Sequence, residues 1–152
     1  MRYWLMKSEP HECSIDDVLA APGRLTAWSG VRNYQARNFM RDEMRVGDGV
    51  LFYHSSCAEP GIAGLAEVAS APYPDASQFD AKSDYYDPKS RKDKPRWCNV
   101  DVRARRKTRL LPLSELKAHK RLAGMVVLRP GNRLSITPVS KPEWKYITGK
   151  LL

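Results

Sequence analysis

The stretch Asn99-Val100-Asp101-Val102-Arg103-Ala104-Arg105 alternates strictly, with Val100, Val102 and Ala104 on one side and Asp101, Arg103 and Arg105 on the other. Side chains on a strand point to opposite faces with a period of two, so this stretch predicts a β-strand with one face in a core and one in water. Moving outward, Tyr3 to Lys7 and Val50 to His54 are short, mostly apolar runs that read as buried strands. Ile62 to Ala71 reads as a strand that can bend or bulge at Gly64, and Arg133 to Val139 as the last strand.

Helical signals fall between these runs. Ser14 can cap a helix whose apolar stripe is Ile15, Val18 and Leu19, with Asp17 in its first turn and Pro22-Gly23 as its stop. Ala36, Phe39, Met40 and Met44 recur at spacings of three and four, which fits a helix from about Asn33 to Met44. Ser114 to His119 has short helical character, and Pro142 opens a terminal helix running to about Leu151. Between them, residues 72 to 96 hold four prolines and many charges, with only a brief helix expected at Ala76 to Lys82. About six short strands with flanking short helices, no βαβ rhythm and no repeat predict an α+β domain around a curved sheet or small barrel.

At 152 residues, the chain is read as one domain spanning 1–152. With 42% apolar and 28% charged residues it resembles folded proteins rather than disordered, collagenous or coiled-coil chains. The longest uninterrupted apolar run, Met125 to Leu128, is far short of a membrane span, and no signal-peptide stretch follows Met1, so an intracellular protein with no membrane partner is expected. That expectation is cytoplasmic, with nucleoid association in a bacterium or a nuclear place in a eukaryote. Cys13, Cys57 and Cys98 are odd in number and never form C-x-x-C, which suits reduced thiols and no zinc site. Without a heptad seam or a long apolar edge, a monomer is the default.

The formal charge of +9 is unevenly placed. Residues 1–76 hold 7 basic and 10 acidic groups, a net of −3; residues 77–152 hold 19 and 7, a net of +12. A segregated excess suggests a face for an anionic partner if the fold gathers those residues.

Four constellations can carry chemistry. The segment from Trp28 to Asn38 places Arg32, Asn33 and Arg37 near a flat ring, and its alternative reading is an exposed helix with Trp28 in the core. The strand ending Tyr53-His54-Ser55 offers hydroxyls and an imidazole, although a lone histidine at a strand end is an ordinary structural hydrogen-bonder. The loop with Tyr85, Tyr86, Lys89, Lys94, Arg96 and Trp97 combines stacking rings with cations, as proteins that bind unstacked nucleotides do. The run Arg103, Arg105, Arg106, Lys107 and Arg109 is either a solvated face or a phosphate track. No nucleophile elbow and no H-x-x-x-H spacing are present, so neither a triad nor a catalytic metal is expected.

Taken in order, Tyr3-Trp4-Leu5-Met6-Lys7-Ser8-Glu9-Pro10, Trp28 through Asn38, Gly47-Asp48 with Leu51 through Ser55, Gly61 through Gly64, Tyr85 through Ser90 and Pro95-Arg96-Trp97 resemble the EVE domain family. The resemblance covers essentially residues 1 to 150. It implies a PUA-like mixed β-barrel, related to the YTH readers of methylated RNA, and non-catalytic recognition of a modified cytosine in DNA. It frames a pocket with Lys7, Ser8, Trp28, Val31, Asn33, Tyr34, Tyr53, His54, Ser55, Tyr85 and Trp97. Within it, Trp28 or Tyr53 would stack on the base, and Asn33, Ser8 and His54 would read its edge. Lys7, Arg32 and Arg37 would hold phosphates, and Lys89, Lys94, Arg96, Arg103 and Arg105 would extend that track. The partner is nucleic acid, either DNA with modified bases or RNA, with no cofactor. Two alternatives stay open: a small hydrolase or nucleotide-modifying enzyme centred on His54, and a generic nucleic-acid-binding domain without a base pocket.

Overall fold

The computed structural model describes residues 1–152. Seven strands form one curled sheet: β1 (Tyr3–Ser8), β2 (Leu25–Trp28), β3 (Gly49–His54), β4 (Gly61–Val68), β5 (Tyr73–Pro74), β6 (Cys98–Pro112) and β7 (Ile136–Val139). Their order is β2-β6-β4-β3-β1-β7, with β5 paired to β6 outside that path. The α+β architecture is the expected one, and the sheet curls without closing, since β2 and β7 at its two ends do not pair. One pairing, β1 with β3, is parallel and the others are antiparallel.

The opening alternation holds, and the strand it predicts is much longer, 15 residues rather than seven. Register shifts opposite Ile62/Gly64 and Leu65/Ala66 break the strict period of two beyond Arg105. Such irregularities bend a strand and increase its twist, which is how one ribbon curls over the core. Gly64 lies at the first shift, where a Cβ would come within 2.6 Å of the Ile15 side chain and 2.9 Å of the Arg106 carbonyl.

Four short helices pack on the sheet: α1 (Ile15–Ala20), α2 (Tyr34–Asn38), α3 (Leu113–Ala118) and α4 (Lys141–Tyr146). Ser14 and Asp17 form a reciprocal capping box on α1, with the Ser14 Oγ accepting from the Asp17 amide and Asp17 Oδ2 from the Ser14 amide. Helices α2 and α4 each widen into a π turn, Phe39–Glu43 and Ile147–Leu151, so both predicted helices reach nearly their expected ends. β2 was not anticipated: four residues are too few to show a period, and pairing of Trp28 with Val100 of β6 makes it a strand.

Because strand residues alternate, the sheet has two buried faces. Trp4, Met6, Val50, Phe52, Val100 and Val102 pack with α1 and α2, while Leu5, Leu51, Ile62 and Leu111 pack with Leu116 of α3 and Ile147 after α4. Tyr3 and Trp144 stack at 4.6 Å, seating α4 on the second face. No helix is long and apolar enough to cross a membrane.

Candidate functional site

Parallel pairing aligns the carboxyl ends of β1 and β3, the place where open α/β sheets leave a crevice. The Ser55 amide donates to the Ser8 carbonyl at 2.9 Å, which brings Lys7, Ser8, Ser55 and Ser56 to one wall of a cleft of about 630 Å³. The end of β2 and the loop Ser29–Asn33 form the opposite wall, with Tyr85 above it and Arg133 and Ser135 beyond. An acidic turn with Glu9 and Glu12 edges the cleft. This size falls in the range of small-molecule and base pockets.

The loop wall is fixed by a buried carboxylate that sequence reading did not single out. Asp75 accepts from the Gly30 amide at 2.9 Å, from Arg32 Nη1 at 3.0 Å, and from the Ser77 amide and hydroxyl at 2.9 and 2.6 Å. Turned to donate, the Asn99 amide also reaches Asp75 Oδ2 at 3.3 Å and the Trp28 carbonyl at 3.2 Å. Burial works to raise the Asp75 pKa, and the bonds from Ser77, Gly30 and Arg32 outweigh it, so the carboxyl is held below its ordinary value. The one local signal was Asp75 two residues before Ser77, an N-cap pattern; its long-range partners leave no mark in the sequence.

Gly30 has φ +78, and a Cβ there would come within 2.8 Å of the Tyr85 ring. Only glycine allows both that left-handed backbone and that contact. The irregular segment containing Tyr85 is stitched down by Gln78, which donates to the Asp75 and Trp97 carbonyls and accepts from the Ser90 hydroxyl and the Trp97 amide.

Of the expected pocket residues, Lys7, Ser8, Trp28, Val31, Asn33, Ser55 and Tyr85 line the cleft. Burial lowers the Lys7 pKa from its ordinary value, and its Nζ lies 6.0 Å from the Tyr53 ring centre. Ser8 Oγ donates to the Cys13 carbonyl, leaving its lone pairs to accept from the cleft side. Trp28 is 8% exposed and meets Phe52 edge-on at 5.5 Å.

Four residues sit elsewhere. Tyr53 is 2% exposed within the second core, where no base can reach its face. His54 Nε2 accepts from the Ile15 amide at 3.1 Å, capping α1, so its lone pair is spent on the backbone and an enzyme centred on it loses its base. Tyr34 and Trp97 stack on each other at 4.9 Å outside the cleft, with Trp97 Nε1 donating to Asp87 at 2.7 Å. Cys13 lines the cleft, but burial raises its thiol above the ordinary range, keeping it protonated.

The expected phosphate contacts also change. Arg32 is engaged by Asp75, Ser77 and the carbonyls of Val31 and Tyr85, and so holds the loop rather than a ligand. Arg37 donates to the Arg96 carbonyl and Asn38 while lying 4.7 Å over Tyr34. Arg103 and Arg105 share Glu67 at 3.5 and 3.2 Å, and Arg96 lies 3.9 Å from Asp87. Lys89 and Lys94 are exposed on the loop and form no ion pair. Sequence reading missed Thr26, Ser29, Arg133 and Ser135 as lining residues, since long-range contacts such as the Lys7 amide donating to the Ser135 carbonyl bring them to the cleft.

The EVE domain family model matches residues 2–150. Human thymocyte nuclear protein 1 is 45% identical over 162 aligned positions, covering 95% of this chain and 72% of that protein. A hypothetical protein from Leishmania major superposes with a TM-score of 0.89 at 50% identity, covering 98% of this chain and 93% of that one. The human THYN1 structure in complex with 5-methylcytosine-containing DNA superposes with a TM-score of 0.91 at 44% identity, covering 98% and 96%. With the match running over nearly every residue described above, the chain belongs to the EVE domain family.

Proposed function

We propose that this protein is a non-catalytic reader of methylated cytosine in DNA, received in the cleft between the ends of β1 and β3 and the Ser29–Asn33 loop. The observation that carries this reading is the likeness over 98% of the chain to a human relative in complex with 5-methylcytosine-containing DNA. The chemistry of the cleft supports it. A cytosine ring offers an exocyclic amino donor beside acceptors, and Ser8, with its proton committed to Cys13, is left as an acceptor while Lys7 is a donor. Trp28 and Tyr85 supply the aromatic surfaces, and stacking returns about 1–3 kcal/mol per base. That is enough to offset extrusion from a duplex, which costs a few kcal/mol. Such a reader works as a single chain on nuclear DNA in a eukaryote or on the nucleoid in a bacterium.

Equilibrium titrations with duplexes that differ by one 5-methyl group test the proposal. The wild-type protein is expected to prefer the methylated duplex, and Trp28→Ala to lose the preference. Because Trp28 also packs on Phe52, Tyr85→Ala is the companion variant; Tyr85 is 39% exposed and removable with little loss of core. Equal affinity of the wild type for both duplexes would overturn the reading.

A further inference from the structure

Four of the five cations in the basic run Arg103–Arg109 are paired in the fold, with three carboxylates between them. Arg103 and Arg105 share Glu67, Lys107 meets Asp16 at 2.9 Å, and Arg109 meets Glu115 at 2.6 Å. A larger uncompensated set lies further along. Residues 116–152 hold eight Lys and Arg against one acid, Glu143. That carboxylate is committed to the α4 capping box, accepting from the Ser140 amide at 2.8 Å. None of the eight cations forms an ion pair.

The fold gathers several of these cations on one surface. Arg121, Lys145 and Lys150 line an open cleft of about 530 Å³ between the 3₁₀ turn Lys120–Leu122 and α4 with its π extension. Tyr146 forms its floor: the Arg121 guanidinium lies 5.5 Å from the ring centre, and the Tyr146 hydroxyl shares a 2.9 Å hydrogen bond with His119 Nδ1. Lys141 stands one turn before Lys145, four residues apart on the helix. Like charges at that spacing repel and weaken a short helix, a cost relieved when an anion sits between them. This surface covers the sheet face opposite α1 and α2, away from the wall that carries Trp28 and Gly30.

We propose that the α4 face, with the 3₁₀ turn Lys120–Leu122, is a second nucleic-acid contact, a site for the phosphodiester backbone seated between Arg121, Lys145 and Lys150. It rests on the reading of this protein as a DNA binder, and it assigns backbone affinity to a surface separate from the one that reads the base. It also replaces the Arg103–Arg109 run as the main phosphate track.

The experiment compares wild-type protein with the exposed triple variant R121A/K145A/K150A and with R103A/R105A/K107A, each titrated with methylated and plain duplexes at two salt concentrations. Each phosphate contact contributes about 0.9 to the log–log salt slope, so loss of three lowers it by about 2.7. Over a fourfold rise in salt, the wild type should therefore lose about 40-fold more affinity than the R121A/K145A/K150A variant. The β6 variant should change the slope by less than about one unit, because its cations already have carboxylate partners. Thermal melts confirm that both variants fold. An unchanged slope in R121A/K145A/K150A, equal effects in the two variants, or no binding by the wild type would overturn the proposal. The same titrations separate it from the cleft reading. A lost slope without methyl preference keeps this surface and rejects the cleft, whereas methyl preference with an unchanged slope does the reverse.

Discussion

Replacing Asp75 with asparagine is the sharpest test of how the cleft wall is held. Besides the turned Asn99 amide, the carboxylate takes Gly30 N and Arg32 Nη1 on Oδ2, and the Ser77 amide and hydroxyl on Oδ1. An asparagine keeps one acceptor oxygen, so its NH₂ must face one of these pairs. Facing Ser77 is the cheaper choice, because the hydroxyl can rotate to accept while only the Ser77 amide is orphaned. One buried N–H left unpaired costs about 1–3 kcal/mol. The bond to Arg32 loses its ionic partner as well, and charge-assisted bonds are about twice as strong as neutral ones. Because the Asp75 and Arg32 side chains are only 1% and 21% exposed, solvent screens little of this. The expected loss is about 3 kcal/mol in denaturant titration, or a melting point lower by about 6–12 °C for a chain of this size. Methyl preference should fall with it, since the neutral oxygen holds Gly30 and Arg32, and through Arg32 the Tyr85 carbonyl, more weakly, while binding to plain duplex persists. Asp75→Asn and Arg32→Met combined should be less damaging than their sum, because each alone strands the other. A melting point within about 2 °C of wild type, with preference intact, would refute the reasoning.

Two further outcomes follow from particular contacts. Gly30→Ala puts a methyl group 2.8 Å from the Tyr85 ring at a φ of +78. It should cost about 1–2 kcal/mol and reduce affinity for methylated duplex as Tyr85→Ala does, with no loss in either measurement counting against the packing argument. The third concerns pH. Burial lowers the His54 pKa below 6.5, with Asp16 opposing, Lys107 reinforcing and Asp17 opposing. A base whose folded pKa is depressed takes up its proton more readily when unfolded, so this contribution is complete above 6.5 and is lost as pH falls toward the folded value. His54→Gln, which can still accept from Ile15 N–H and does not titrate, should flatten the stability curve across that window; a curve as steep as wild type would show that His54 does not titrate with folding.

Much of the fold was legible because its signals are local. The alternation at Val100, Val102 and Ala104, the Ser14 and Asp17 cap and the stripe Ala36, Phe39 and Met40 each lie within a few residues, and each produced the element it predicts. Half-buried strands and capped helices are short-range consequences of side-chain direction and of unpaired terminal amides. β2 escaped because four residues carry no period, and the length of β6 escaped because register shifts erase alternation.

The candidate site divides in the same way. Lys7, Ser8, Trp28, Ser55 and Tyr85 were identified through the family resemblance, and the sheet brings them to one cleft. His54 and Tyr53 were misplaced because residue type and strand parity do not reveal which face will be covered, nor that an imidazole will cap a helix beginning 39 residues earlier. Sequence by itself determined the elements with local signals, the family and the amount of charge. Tertiary structure decided what the charges and polar groups do. Asp75 became the anchor of a cleft wall, and Arg103, Arg105 and Lys107 were paired with Glu67 and Asp16. Arg121, Lys145 and Lys150, which pair with no carboxylate, meet at one cleft beside α4. The reason is physical: hydrogen bonds and ion pairs act over a few ångströms in space, whereas Asp75 and Gly30 lie 45 positions apart in the chain and Lys107 and Asp16 lie 91 apart.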